Sequence, residues 1–224
     1  IKAGALRAKY DVILLAQQAT QSILHGQRAG TRSGSGRYGL AEKSQPRPEH
    51  AGGIGVEGVK ALDEFVRAGG TLVAFDTATD LPMDMLDIGV RGTLRTGTGA
   101  GEWYCPGSLL RVTVDPTHPL GFGMPAEAIV TSTGGQAFEV TLLGDYNKGD
   151  REARTVVNYA KQNLLASGWL SGERAAAGRP AMVDARLGQG RVVLFGFRPQ
   201  FRAQTFGTFK LLLNAIYLSS SKPI

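Results

Sequence analysis

Apolar residues along this chain come in short unbroken runs and in helical spacings. Lys9–Leu15 (KYDVILL) and Thr71–Phe75 (TLVAF) are bounded by polar residues and glycine and read as buried parallel strands. Between them, Val56–Ala68 (VEGVKALDEFVRA) places Val59, Leu62, Phe65 and Val66 on one helix face. Gly69 and Gly70 end that helix, because glycine accepts the left-handed conformation beyond the C-cap. Strand, helix, strand is a crossover unit of a parallel sheet. A polar DTATD follows, then a short helical piece near Met83–Leu86.

The middle of the chain is more β-like. Ser108–Val114 (SLLRVTV) reads as a strand stopped by DPTHP, and Phe138–Leu143 as another; Val156–Tyr159 and Trp169-Leu170 are weaker candidates. Pro180–Leu187, a Gly-Gln-Gly turn and Arg191–Phe195 form a hairpin signature. The last helix, Thr208–Leu218, is apolar nearly all round, which predicts cover on several sides. Ala16–Gly53 is rich in Gly, Ser, Arg and Pro without apolar period. It reads as a long loop, least ordered between Arg28 and His50. No internal repeat is visible.

Composition sets bounds on this picture. The chain has 224 residues, 42% of them hydrophobic, enough to bury a real core. A net charge of +6 is diffuse over this length. In the arginine-rich loop, Glu42 and Glu49 dilute the charge and Tyr38 is the sole aromatic, so a solvated surface loop is expected and nucleic acid is not the expected partner. No run of 18 apolar residues and no signal-peptide pattern appears, and no membrane contact is expected. The chain starts in mid-stride at Ile1 and reads as a piece of a longer protein.

Candidate chemistry is thin. A zinc peptidase site needs two His and a Glu, one His and the Glu being close in sequence. The three histidines, His25, His50 and His118, have no Glu three residues on, so no metal or other cofactor is expected in this chain. His118 lies in DPTHPL and reads as structural. The single cysteine, Cys105, rules out an internal disulfide; it precedes a strand and is followed by proline, which suits packing better than catalysis. Asp76, Asp80 and Asp84 follow a strand end. They could bind a cation or face Arg198, but helix N-capping by Asp76 or Asp80 is the simpler expectation. Trp103, Tyr104 and Trp169 could form a sugar- or peptide-binding surface, with core packing preferred.

Two places carry a resemblance. The turn after TLVAF reads Ala74-Phe75-Asp76-Thr77-Ala78, with small residues two positions either side of Asp76, and the strand RVVLF ends in Phe197-Arg198-Pro199-Gln200. This resembles the class I glutamine amidotransferase fold. There a Cys nucleophile sits on such an elbow, and a later strand ends in Phe-His-Pro-Glu. The segments EGVKALDEFVRAGGTLVAFD, WYCPGSLLRVTVDPTHPLGFGMP and LGQGRVVLFGFRPQFRAQTFGTFKLLLNAI together resemble the amidotransferase-like domain at the C-terminus of bacterial zinc-carboxypeptidase-like proteins. Ala16–Gly53 and Leu143–Arg154 fall outside it. Phe206 departs from the family, where a polar residue, often His, is expected.

The resemblance implies an α/β, flavodoxin-like, doubly wound, mostly parallel sheet with a β-hairpin extension. It would form one domain over 1–220, with 16–53 as a loop insertion and 221–224 as a tail. The expected catalytic set is empty: the triad positions hold Asp76, Arg198 and Gln200. An arginine does not deprotonate in proteins and cannot serve as base, and a glutamine lacks the charge that steadies an imidazolium. The implied role is a non-catalytic accessory domain that packs on or orients the peptidase domain of the parent. Zinc would belong to that separate domain, and the parent would be secreted or periplasmic. Two alternatives stand beside it. One is an active hydrolase or amidotransferase-like enzyme using the elbow. The other is a small-ligand or glycan-binding module using Asp76, Arg198 and Arg202. If the alignment is right, Asp76 and Arg198 meet at the carboxyl edge of the sheet.

Overall fold

The computed structural model describes residues 1, 4–26, 51–94, 102–141 and 151–220. Its strands, in chain order, are β1 (Val12–Leu15), β2 (Thr71–Phe75), β3 (Val90–Gly92), β4 (Ser108–Val114), β5 (Glu127–Ser132), β6 (Phe138–Val140), β7 (Arg151–Tyr159), β8 (Leu165–Ser167), β9 (Pro180–Leu187) and β10 (Gly190–Phe195). The helices are α1 (Thr20–His25), α2 (Gly55–Arg67), α3 (Asp80–Met85), α4 (Glu173–Ala176) and α5 (Phe209–Ser220). The main sheet has the order β1-β2-β10-β9-β7-β4-β5, with β8 beside β4; β3 and β6 form a separate pair.

The fold is α/β, as expected, and wound on both faces of the strands β1, β2 and β10. Leu62, Phe65 and Val66 of α2 join Leu72, Ala74, Val192 and Leu194 in one core. Leu211 and Ala215 of α5 join Val73, Val193 and Phe195 in the other. The period-two alternation of β2 and β10 feeds both cores, so Leu72–Phe75 and Val192–Phe195 are apolar without interruption. The expected α2 and its stop are found, with Gly69 left-handed at φ +98°. The hairpin β9–β10 is antiparallel around Gly188-Gln189, as expected.

The sheet is mixed, and parallel pairing is narrower than expected. Among the described residues only β1–β2 and β2–β10 are parallel; β10–β9, β9–β7, β7–β4, β4–β5 and β4–β8 are all antiparallel. Four further expectations are corrected. β1 is an edge strand among the described residues, with Leu14 exposed, because no described strand pairs on its outer side. The stretch Ala16–Gly53 contains the short helix α1, whose Ile23 is buried; residues 27–50, where least order was expected, lie outside the described residues. Trp169-Leu170 is not a strand; the pairing residues are Leu165–Ser167. The helix α5 is fully buried only at Leu211 and Ala215 among the described residues, and leaves one stripe with Leu213 and Tyr217 exposed.

Candidate functional site

β2 and β10 run parallel and in register, so both deliver their ends to one edge of the sheet. At the end of β2 the chain turns sharply into a 3-10 turn, Asp76–Thr79, that leads to α3. Asp76 takes φ +53°, a left-handed conformation uncommon outside glycine, asparagine and aspartate. The turn is tied by Thr79, whose Oγ1 donates to the Asp76 carbonyl at 2.6 Å. After β10 the chain passes close under the β5–β6 loop. A Cβ on Gly196 would lie 2.0 Å from the Gln136 carbonyl oxygen, so only glycine fits there. Two residues on, the Arg198 amide donates to the Thr131 carbonyl at 3.0 Å, which fixes the side chain's origin.

The consequence is a buried ion pair. Asp76 has no exposed surface. Its Oδ2 accepts from Arg198 Nε at 3.0 Å and from Thr133 Oγ1 at 3.4 Å. Its Oδ1 finds no hydrogen-bond partner among the described residues. The Arg198 guanidinium also donates to Gln17 Oε1 and lies 4.6 Å from the centre of the Phe201 ring. Four chain segments thus meet here, after β1, β2, β5 and β10. The sequence pointed to Asp76 and Arg198 but not to Gln17 or Thr133. For Thr133 the available signal was the β-branched run Ile129-Val130-Thr131 ahead of Gly134-Gly135, which also marks the unanticipated strand β5.

Other candidates fall away from the pair. Gln200 is exposed, and Arg202, also exposed, rests its guanidinium 5.3 Å from the Phe201 ring. The acidic cluster does not cap α3: Thr79 is the N-cap residue and no side chain caps the helix. Burial pushes the Asp80 carboxyl up, the nearby Asp84 and Asp76 charges add to that, and a hydrogen bond from the Gln136 side chain opposes it. No group of His, Cys, Asp and Glu suited to a metal occurs among the described residues. Cys105 is buried, its thiol 3.5 Å from the Ser132 carbonyl. Trp103 is buried against Tyr159 and donates to the Gly134 carbonyl, while Tyr104 and Trp169 are exposed.

His118 is structural, as expected, and has company that the sequence did not suggest. Its Nδ1 accepts from the Leu120 amide at 3.2 Å, so the neutral ring carries its proton on Nε2. That nitrogen lies 3.6 Å from Asp184 Oδ2, which Arg191 holds at 2.9 Å. Burial pushes the Asp184 carboxyl up and the His118 imidazole down; Arg191 opposes the first shift and Asp184 the second. A small cavity of about 110 Å³ adjoins this cluster, and a groove of about 760 Å³ lies on β4 and β5 beside Arg111, Glu127 and Glu173. Neither is lined by Asp76 or Arg198.

Chemically, the Asp76–Arg198 pair is closed. The carboxylate at the elbow is shielded from solvent and already neutralised, and its neighbour cannot take a proton. No helix of the described residues is long and apolar enough to cross a membrane.

The sequence matches no protein-family model and no curated protein. Solved structures do resemble the fold. A cytoplasmic protein, STM1381, from Salmonella typhimurium LT2 aligns over 96% of this chain and 73% of its own, with TM-score 0.50 and 10% identity. A protein described as a GMP synthase subunit from Thermoplasma acidophilum aligns over 96% and 76%, with TM-score 0.49 and 9% identity. A ThuA-like protein from Bacteroides uniformis aligns over 75% and 65%, with TM-score 0.45 and 16% identity. At these identities the likeness is one of fold.

Proposed function

We propose that this chain is a non-catalytic, amidotransferase-like domain that packs on or orients the peptidase domain of a zinc-carboxypeptidase-like hydrolase. The observation that carries the reading is the Asp76–Arg198 pair. Where the resembling enzymes keep a nucleophile and its base, this chain has a buried salt bridge with no exposed carboxylate surface. Losing a nucleophile or its base costs several powers of ten in rate, and here both positions hold other groups. The elbow is retained as a structural joint between four segments of chain.

Turnover of glutamine and of C-terminal peptide substrates, with and without added zinc, tests the catalytic half of this reading. The isolated chain is expected to be inactive. Activity that vanishes in Asp76→Asn would mean a working elbow, and activity that vanishes in Cys105→Ser would move the nucleophile to Cys105. The accessory half is tested by comparing the peptidase domain alone with the same domain carrying this chain. A change in melting temperature or in substrate range is expected; identical values for both would reject the role.

A further inference from the structure

Four of the large exposed apolar side chains gather on and beside α5. Phe122 is 71% exposed, Phe206 77%, Leu213 45% and Tyr217 68%. Phe206 stands in the 3-10 turn that enters the helix, and its ring lies 5.5 Å from that of Phe209. Phe122 is brought alongside by Asn214, whose Nδ2 donates to the Leu120 and Phe122 carbonyls at 2.9 and 3.0 Å. The Lys210 ammonium reaches the next residue, Gly123, closing the patch on that side. The exposed positions Lys210, Leu213, Tyr217 and Ser220 are spaced 3-4-3, which puts them on one stripe of α5, with Phe206 exposed in the turn before it. The exposed Phe122, Phe206, Leu213 and Tyr217 around this stripe form an apolar patch of the kind that marks an interaction surface.

The order of residues in the stripe says what fits it. Leu213 is the middle position, with Lys210 three residues before it and Tyr217 four after. An antiparallel copy of α5, related by a two-fold axis at Leu213, sets Leu213 on Leu213 and each Lys210 over the Tyr217 ring of the other copy. An ammonium over a tyrosine face is attractive. The same operation carries Phe206 to the small Ser220, so the bulky end of one stripe meets the open end of the other. The helix contains no acidic residue, and Lys210 is its single charge. A second copy answers that charge with the exposed Tyr217 ring. We infer that α5 is a self-complementary surface and that the chain forms a two-fold dimer through antiparallel α5 helices.

The inference does not rest on the proposed function. The stripe and Phe122 cover on the order of 500 Å² per copy, at the low end for a specific interface, so the dimer should be weak and concentration-dependent. Sedimentation of this chain from low micromolar to several hundred micromolar is expected to show a monomer–dimer equilibrium. Leu213→Arg should raise the dissociation constant at least tenfold, and Lys210→Glu severalfold, because an anion is repelled by the ring face; circular dichroism checks that both variants fold. In a Cys105→Ser background, Leu213→Cys should oxidise to a disulfide-linked dimer much faster than Val56→Cys, which is exposed on α2. A monomer at every concentration would overturn the inference. So would a dimer insensitive to Leu213→Arg, or equal cross-linking at positions 213 and 56.

Discussion

Asp76 combines two features that each disfavour the folded state: a left-handed backbone and a fully buried carboxylate. Arg198 offsets the second. Arg198→Leu should destabilise by about 3–5 kcal/mol, the usual size when one member of a buried pair is removed. Asp76→Asn should cost less, since asparagine tolerates φ above zero and carries no charge. The double variant should lose less than the sum, and urea unfolding of all four proteins gives the coupling. His118 supplies a pH dependence. Its folded pKa lies below the ordinary value of 6.5, so below that pH the unfolded state binds more protons and stability falls. Asp184, raised above 3.8, contributes with the opposite sign at the acid end. Melting temperatures between about pH 8 and pH 5 should drop for the native chain and flatten in His118→Asn, which removes the titrating ring. Asp76 and Arg198 could be found in the sequence because apolar runs fix the two strand ends before them and the residues there resemble the amidotransferase elbow and its Phe-His-Pro-Glu strand end. Gln17 could not, because its partner is distant and no local pattern marks a polar residue that will be bonded; Thr133 had only the strand run before it as a signal.

The elements that the sequence revealed are those with a strong period or strong punctuation. α2 has four apolar residues on one face and a glycine stop, and β9–β10 has a tight turn between apolar runs. β1 and β10 look alike as apolar runs, yet one is an edge and the other central; that difference depends on neighbours, which the run does not encode. α5 was the instructive failure. Its apolar residues all round suggested burial, but only Leu211 and Ala215 face the core fully. One expectation at this scale concerns the joint between β10 and the β5–β6 loop. Gly196→Ala would push a methyl group onto the Gln136 carbonyl, where backbone stands on the other side and cannot yield as a side chain would. A loss of about 1–3 kcal/mol is expected, by analogy with other overpacked sites. Gly134→Ala, with open space around its Cβ, should cost only the strain of its φ of +99°. Thermal unfolding of the two variants separates crowding from backbone conformation.

At the scale of the whole molecule, the α/β class was legible and the pairing order was not. Three parallel strands carry the joint at Asp76, while β9, β7, β4 and β5 extend the sheet antiparallel. β7 sits between β9 and β4, so its place is decided by contacts far along the chain that no local spacing announces. The two cores are separated by the sheet, and the one beneath α5 holds the lone thiol, Cys105, near Trp103 and Tyr159. That placement gives the chain a chemical clock. A thiol reagent in solution reacts with Cys105 only in molecules whose core has opened, so the labelling rate reads the population of open forms directly. If the opening is global, the rate should rise with urea as steeply as unfolding itself, and Arg198→Leu should quicken labelling by the same factor by which it lowers the folding constant. A shallow urea dependence would instead reveal a local hinge that exposes the thiol while the sheet stays intact.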